Sequence, residues 1–220
     1  MTNADLESNK LIFDYLNLLN ENLNDETNEH FCIISEENKN LHYKARKDIL
    51  YTWLVDPIDG TKEFLKKNGQ FTVNIGLCKN GIPIFGIVSI PVSGEIYYGI
   101  EGVGSFKLDN NNIEKLIIEK KDLNKESINI VASSSHMSED TKKYISKFKN
   151  PNLINIGSSI KLLYVAENKA DIYPRFGPTS EWDTCATHAV VKYAGGNVIN
   201  VNSQEELTYN KENILNPYFL

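Results

Sequence analysis

Arginine is almost missing from this 220-residue chain: Arg46 and Arg175 stand against 21 lysines. Cysteine is sparse too. Cys32, Cys78 and Cys185 lie far apart with no CxxC pair, which argues against a disulfide frame or zinc cluster and for free thiols in a reducing cytosol. No apolar run approaches the roughly 20 residues that cross a bilayer, and no basic-then-apolar leader opens the chain. A cytoplasmic protein without a membrane segment is therefore expected. There is no cationic block, and 29 acidic against 23 basic side chains leave a formal charge of −6, a poor match for a nucleic-acid backbone. No protein partner is implied. The scarcity of arginine makes either one informative beside an anion site, because its planar fork of donors has no lysine equivalent.

What is present divides near residue 127. Leu6, Leu11, Ile12, Tyr15, Leu16, Leu19 and Leu23 recur at mostly helical spacing and predict an amphipathic helix over 4–23. Phe31 to Ile34 and Tyr51 to Val55 read as short buried strands, with a polar surface excursion at 38–49 between them. From Phe71 the period becomes two, and Asn80-Gly81 suits a type I′ hairpin turn. Strands at 82–90, 96–100 and 105–108 complete an antiparallel meander. Beyond 127, strands at 128–132, 153–156, 170–173 and 197–201 alternate with helices near 138–149, 159–168 and 183–194, an α/β layer. The expected fold is an α+β half, 1–127, joined to an α/β half, 128–220.

Three carboxylate clusters end predicted strands or open a helix: Ser35-Glu36-Glu37, Asp56-Pro57-Ile58-Asp59-Gly60-Thr61, and Glu181-Trp182-Asp183-Thr184. Asp56 and Asp59, with the Ile58 carbonyl between them, offer hard oxygens suited to Mg²⁺. Glu36 and Asp183 raise the count to four carboxylates, more than one Mg²⁺ needs, and point to two or more ions about 3.5–4 Å apart, an arrangement for phosphoryl displacement. Each cluster alone has a plainer reading, since Asp-Pro and Asp-Gly punctuate turns and Glu-Glu pairs sit on surfaces. Gly157-Ser158-Ser159 likewise reads as a helix cap, Lys161 as a solvated helix residue and His136 as a loop side chain. His188, among Ala186, Ala189 and Val190, reads as a core histidine. Cys185 has no neighbouring base to make it a nucleophile.

The run DPIDGTKEF (56–64) resembles the metal motif of the inositol monophosphatase superfamily, and ISEE (34–37) and EWDTCATHAVVKYAGG (181–196) resemble its other signatures. KEFLKKNGQFTVNI and YPRFGP are similar to the branch of bacterial 3′(2′),5′-bisphosphate nucleotidases of CysQ type. The resemblance runs from Thr2 to about Phe219. It implies a layered αβαβα sandwich, with an antiparallel meander sheet in the first half and a smaller mixed sheet in the second. It implies two or three Mg²⁺ held by Glu36, Asp56, the Ile58 carbonyl, Asp59 and Asp183, and inhibition by Li⁺. Catalytic roles fall on Glu36, Asp59, Thr61 and Asp5, with Thr61 and Asp5 aiming and deprotonating the attacking water. Gly60 and Thr61 N–H groups would cradle the transferred phosphate beside Ile58, Asp59 and Asp183. His136, Ser158, Ser159, Lys161 and Arg175 match nucleotide-binding positions, and Lys62 and Glu63 match its entrance.

The implied reaction removes the 3′-phosphate of adenosine 3′,5′-bisphosphate, a phosphorylated small-molecule nucleotide, giving AMP and clearing a by-product of sulfate assimilation. Inositol monophosphate or a sugar bisphosphate is the alternative substrate. A further alternative is an idle nucleotide- or metal-binding protein: members usually carry a helix ahead of the VTxAD-like element, TNAD (2–5) here, so Asp5 is expected near a fraying end.

Overall fold

The computed structural model describes residues 2–38, 42–123, 127–133 and 137–220. Helix α1 (Asn3–Thr27) opens it, capped by Thr2 and Asp5, each side chain answering the other's backbone N–H. This box satisfies donors that the first turn would otherwise leave open. Asp5 itself is buried, only 1% exposed.

Strands β1 (Phe31–Ser35), β2 (Tyr51–Asp59), β3 (Thr72–Lys79), β4 (Ile82–Ile90), β5 (Glu95–Ile100), β6 (Gly104–Asp109) and β7 (Asn112–Leu116) form one sheet in chain order. β1 and β2 are parallel; each later pair is antiparallel. Between them lie α2 (Tyr43–Arg46) and α3 (Thr61–Leu65). The Asn80-Gly81 turn has both residues at positive φ, 50° and 76°, as the hairpin reading requires. Asp56-Pro57 does not stop the second strand: β2 runs on to Asp59, with a register shift against β3 between Asp56 and Asp59. A bulge of this kind re-aims side chains while the ladder continues.

The second half gives β8 (Ile128–Ala132) and β9 (Pro151–Asn155), paired in parallel, with α4 (Glu139–Ile145), α5 (Ile160–Ala166) and α6 (Glu181–Tyr193). The strands expected at 170–173 and 197–201 reduce to single bridges, such as Ile130 with Ile172 and Asn200 with Phe219. Residues 171–172 bond to β8, and 198–201 bond to 205–207 and 218–220, without a continuous ladder. The architecture is the layered α/β arrangement expected, and the largest core crosses residue 127, joining Leu54, Val88 and Tyr97 to Leu163, Val190 and Val191.

Helix α6 lies across the meander because the sheet is flattened for it. Gly76, Gly86 and Gly99 stand side by side on β3, β4 and β5. A Cβ on Gly86 would sit 2.1 Å from the Ala186 carbonyl oxygen, and one on Gly99 2.5 Å from that of Ala189. Ser105, next in the row, donates to the Val190 carbonyl at 2.6 Å. Backbone thus meets backbone where any side chain would hold the helix away.

Candidate active site

The C-terminal end of β2, the start of α3 and the N-termini of α5 and α6 meet at one cleft of about 320 Å³, lined by Asp59, Thr61, Ser158, Lys161, Arg175 and Asp183 among others. Asp56 lies beneath it, 1% exposed. Burial pushes its carboxyl well above the usual carboxylate range, and the charges of Asp59, Asp183 and Glu36 push it further. Burial and then Asp59 raise Asp183 to about 7. Acidic side chains from positions 36, 56, 59 and 183 therefore share one electrostatic environment, though three separate segments supply them.

Each of three carboxylates has one oxygen engaged by the scaffold. Asp56 Oδ1 accepts from Ile58 N at 3.1 Å. Asp183 Oδ2 accepts from Ser180 N at 2.8 Å, closing a capping box at the head of α6. Asp59 Oδ2 accepts from Ser158 Oγ at 2.7 Å and from Ser159 N and Oγ at 2.5 and 2.6 Å. The second oxygens of these three take no hydrogen bond from any described residue.

Among the described residues, no three His, Cys, Asp or Glu side chains close up tightly enough to hold a metal on their own. Mg²⁺ does not ask for such a cage, since it binds through one or two carboxylates and completes its shell with water and substrate phosphate. The donor set fits it on chemistry: hard oxygens only, and buried like charges that a divalent cation would offset.

Cationic side chains line the same cleft as the carboxylates. Lys161 is 7% exposed, its Nζ donating to Ser158 O at 2.5 Å and lying over the Tyr173 ring. It is buried, not solvated as its place on a helix suggests, and burial lowers its pKa to about 8 against the pull of Asp59. Arg175 donates from Nη2 to Pro178 O at 2.9 Å, while its buried Nε has no partner among the described residues. Lys62 and Glu63 line the same cleft, as do Gly60 and Thr61. Gly60 holds φ 94° at the start of α3, a conformation natural to glycine.

Some expected groupings are not formed. Asp5 accepts from the Thr2 backbone N–H, and no hydrogen bond joins it to Thr61. Ser159 heads α5 without capping it, its hydroxyl turned to Asp59 instead. His136 lies outside the described residues. His188 is fully buried against Tyr209, at 2.9 Å from its hydroxyl.

Several supporting contacts have no counterpart in the sequence reading. Ser8 Oγ donates to the Pro57 carbonyl at 3.1 Å, tying α1 to the carboxylate loop. Glu181, fully buried, accepts from Asn210 N at 2.7 Å and from Lys211 N and Nζ at 3.0 and 2.5 Å. Arg46, placed by sequence in a surface excursion, is buried and donates to Asn210 Oδ1 and Lys211 O at 2.5 and 2.8 Å. The glycine row had a signal, one glycine inside each of three successive strands; the long-range partners of Ser8, Arg46 and Glu181 had none.

The inositol monophosphatase family model matches residues 1–218. The chain belongs to this family. It is 38% identical over 219 residues to the 3′(2′),5′-bisphosphate nucleotidase CysQ of Shigella flexneri, covering all of this chain and 83% of that protein. It is 40% identical to the CysQ of Buchnera aphidicola over 201 residues, 90% of this chain and 70% of that protein. The crystal structure of CysQ from Bacteroides thetaiotaomicron superposes with a TM-score of 0.77 at 42% identity, over 86% of this chain and 75% of its own. Inositol monophosphatase II of Staphylococcus aureus shares the fold at 18% identity, TM-score 0.71, over 99% and 85% of the two chains. As a member of the inositol monophosphatase family with these relatives, the chain is a phosphatase. No helix among the described residues is long and apolar enough to cross a membrane.

Proposed function

We propose that the chain is a Mg²⁺-dependent 3′(2′),5′-bisphosphate nucleotidase that hydrolyses the 3′-phosphate of adenosine 3′,5′-bisphosphate, yielding AMP and phosphate. The observation that carries this reading is that one cleft holds both carboxylates and buried cationic side chains. Asp59 and Asp183 line it together with Lys161 and Arg175, whose buried Nε has no partner among the described residues. A substrate with two phosphates satisfies both kinds of group, the reacting one at the carboxylates through metal and the retained one at the cations. The relatives' shared name agrees with that chemistry.

Glu36, Asp56, the Ile58 carbonyl, Asp59 and Asp183 would hold two or three Mg²⁺, which supply charge neutralisation at phosphorus and acidity at the attacking water. Gly60 and Thr61 would donate their N–H groups to the reacting phosphate. Thr61 would orient the water and Asp5, anchored near the loop through Ser8 and Pro57, would take its proton. Lys161 and Arg175 would bind the second phosphate, with Ser158 at the edge of that subsite.

The test is phosphate release from adenosine 3′,5′-bisphosphate with and without Mg²⁺, beside inositol monophosphate and a sugar bisphosphate. A higher kcat/KM for the nucleotide, dependent on metal, supports the reading. Preference for another substrate overturns the specificity, and binding without turnover of any of them marks an idle protein.

A further inference from the structure

We infer that Asn74 and Ser159 are positioning residues that decide which oxygen of Asp59 is presented for metal binding. The inference rests on the reading of Asp59 as a metal ligand. Asn74 lies on β3 directly across from Asp56 and is fully buried. Its Nδ2 donates to Ser159 Oγ at 2.8 Å, and that hydroxyl stands 2.6 Å from Asp59 Oδ2. An amide NH₂ group has protons and no lone pair to offer, so Ser159 must accept from Asn74. Its single proton is then free for Asp59; the competing acceptor, the Asp183 carbonyl, is farther at 3.0 Å and neutral, and a carboxylate is the stronger partner. With Ser158 Oγ and Ser159 N also on Oδ2, that oxygen is saturated and Oδ1 is left for a cation. Turning the Asn74 amide over would put an acceptor against Ser159, draw its proton away and leave Asp59 Oδ2 with one charge-assisted donor fewer, loosening its hold on that oxygen.

The sheet itself has no use for this amide. Asn74 Oδ1 is buried with no partner among the described residues, a loss that an apolar side chain of similar size would avoid. A residue kept against local packing sense, one hydroxyl away from a catalytic carboxylate, belongs to the site rather than to the core.

The test compares Asn74→Leu, Ser159→Ala and Ser159→Thr with wild type by calorimetric Mg²⁺ titration, thermal melting, and kcat and KM for the bisphosphate. Asn74→Leu should melt at or above the wild-type temperature while Mg²⁺ affinity and kcat each fall about 10–100-fold. Ser159→Ala should show the same fall, and Ser159→Thr, which keeps the hydroxyl, should restore both. In an Asp59→Asn background, Asn74→Leu should have no further effect on Mg²⁺ binding. Unchanged Mg²⁺ affinity in Asn74→Leu and Ser159→Ala overturns the inference, as does a loss that tracks a lowered melting temperature. If Asn74→Leu does not fold, the Ser159 pair decides alone. A wild-type protein that neither binds Mg²⁺ nor releases phosphate refutes the functional reading instead, an outcome separate from these.

Discussion

Ser8 Oγ donates a hydrogen bond to the carbonyl of Pro57 at 3.1 Å, across 49 positions of sequence. One hydroxyl thus fastens the first turns of α1 to the strand end that carries Asp56 and Asp59. Ser35 Oγ reinforces it, bonded to Asn9 Oδ1 at 2.6 Å, and Trp53 Nε1 bonds to Asn20 Oδ1 at 2.9 Å further along the helix. Ser8→Ala should cost about 1 kcal/mol of stability, read from urea unfolding. Because Asp5 lies one turn earlier on the same helix, kcat should fall with little change in KM.

Gly86 tests whether the glycine row positions α6. Gly86→Ala places a methyl 2.1 Å from the Ala186 carbonyl oxygen, so the helix must lift or the strand bend. A destabilisation of about 1–3 kcal/mol is expected, accompanied by weaker Mg²⁺ binding because Asp183 heads the displaced helix. Melting and Mg²⁺ titration together check it; weakened stability with unchanged metal affinity would detach the glycine row from the site.

On the proposed reading of the cleft, Lys161 sets a pH limit on substrate binding. Burial lowers its pKa from 10.5 to about 8, so the ammonium that attracts phosphate is lost as pH rises through about 8, well below where a solvated lysine discharges. KM for the bisphosphate should therefore rise above pH 8, while inositol monophosphate, lacking the second phosphate, should respond less. Lys161→Arg, whose guanidinium stays charged across this range, should flatten the profile.

Arg175→Ala should raise KM for adenosine 3′,5′-bisphosphate far more than for a simple monophosphate, since its unpartnered Nε is assigned to the retained phosphate. Equal effects on both substrates, measured side by side, would remove Arg175 from the specificity subsite.

Local chemistry was readable in the sequence and long-range chemistry much less so. The period-two meander and the Asn80-Gly81 turn followed from residue type alone. Asp56 and Asp59 could be paired because three positions separate them. By contrast β7, Asn112–Leu116, was missed because an edge strand with exposed faces carries no burial pattern. The segment 56–59 looked like a turn because Asp and Pro signal turns, whereas pairing with β3 keeps it a bulged strand. Lys161 and Arg46 looked solvated because nothing in their neighbourhoods shows that Tyr173 or the 210–211 loop closes over them. Glu36 and Asp183 could be grouped with Asp56 because each of their clusters ends a predicted strand or opens a helix, and the family resemblance implied the same grouping.

The central claim is that carboxylates from distant segments act together on divalent cations, and calorimetric Mg²⁺ titration of Asp56→Asn beside wild type tests it most directly. Asp56 is 1% exposed and crowded by like charges, so neutralising it should leave the protein folded, with a melting temperature at or above wild type. Mg²⁺ binding should meanwhile collapse. Identical Mg²⁺ isotherms for the two proteins would contradict the account.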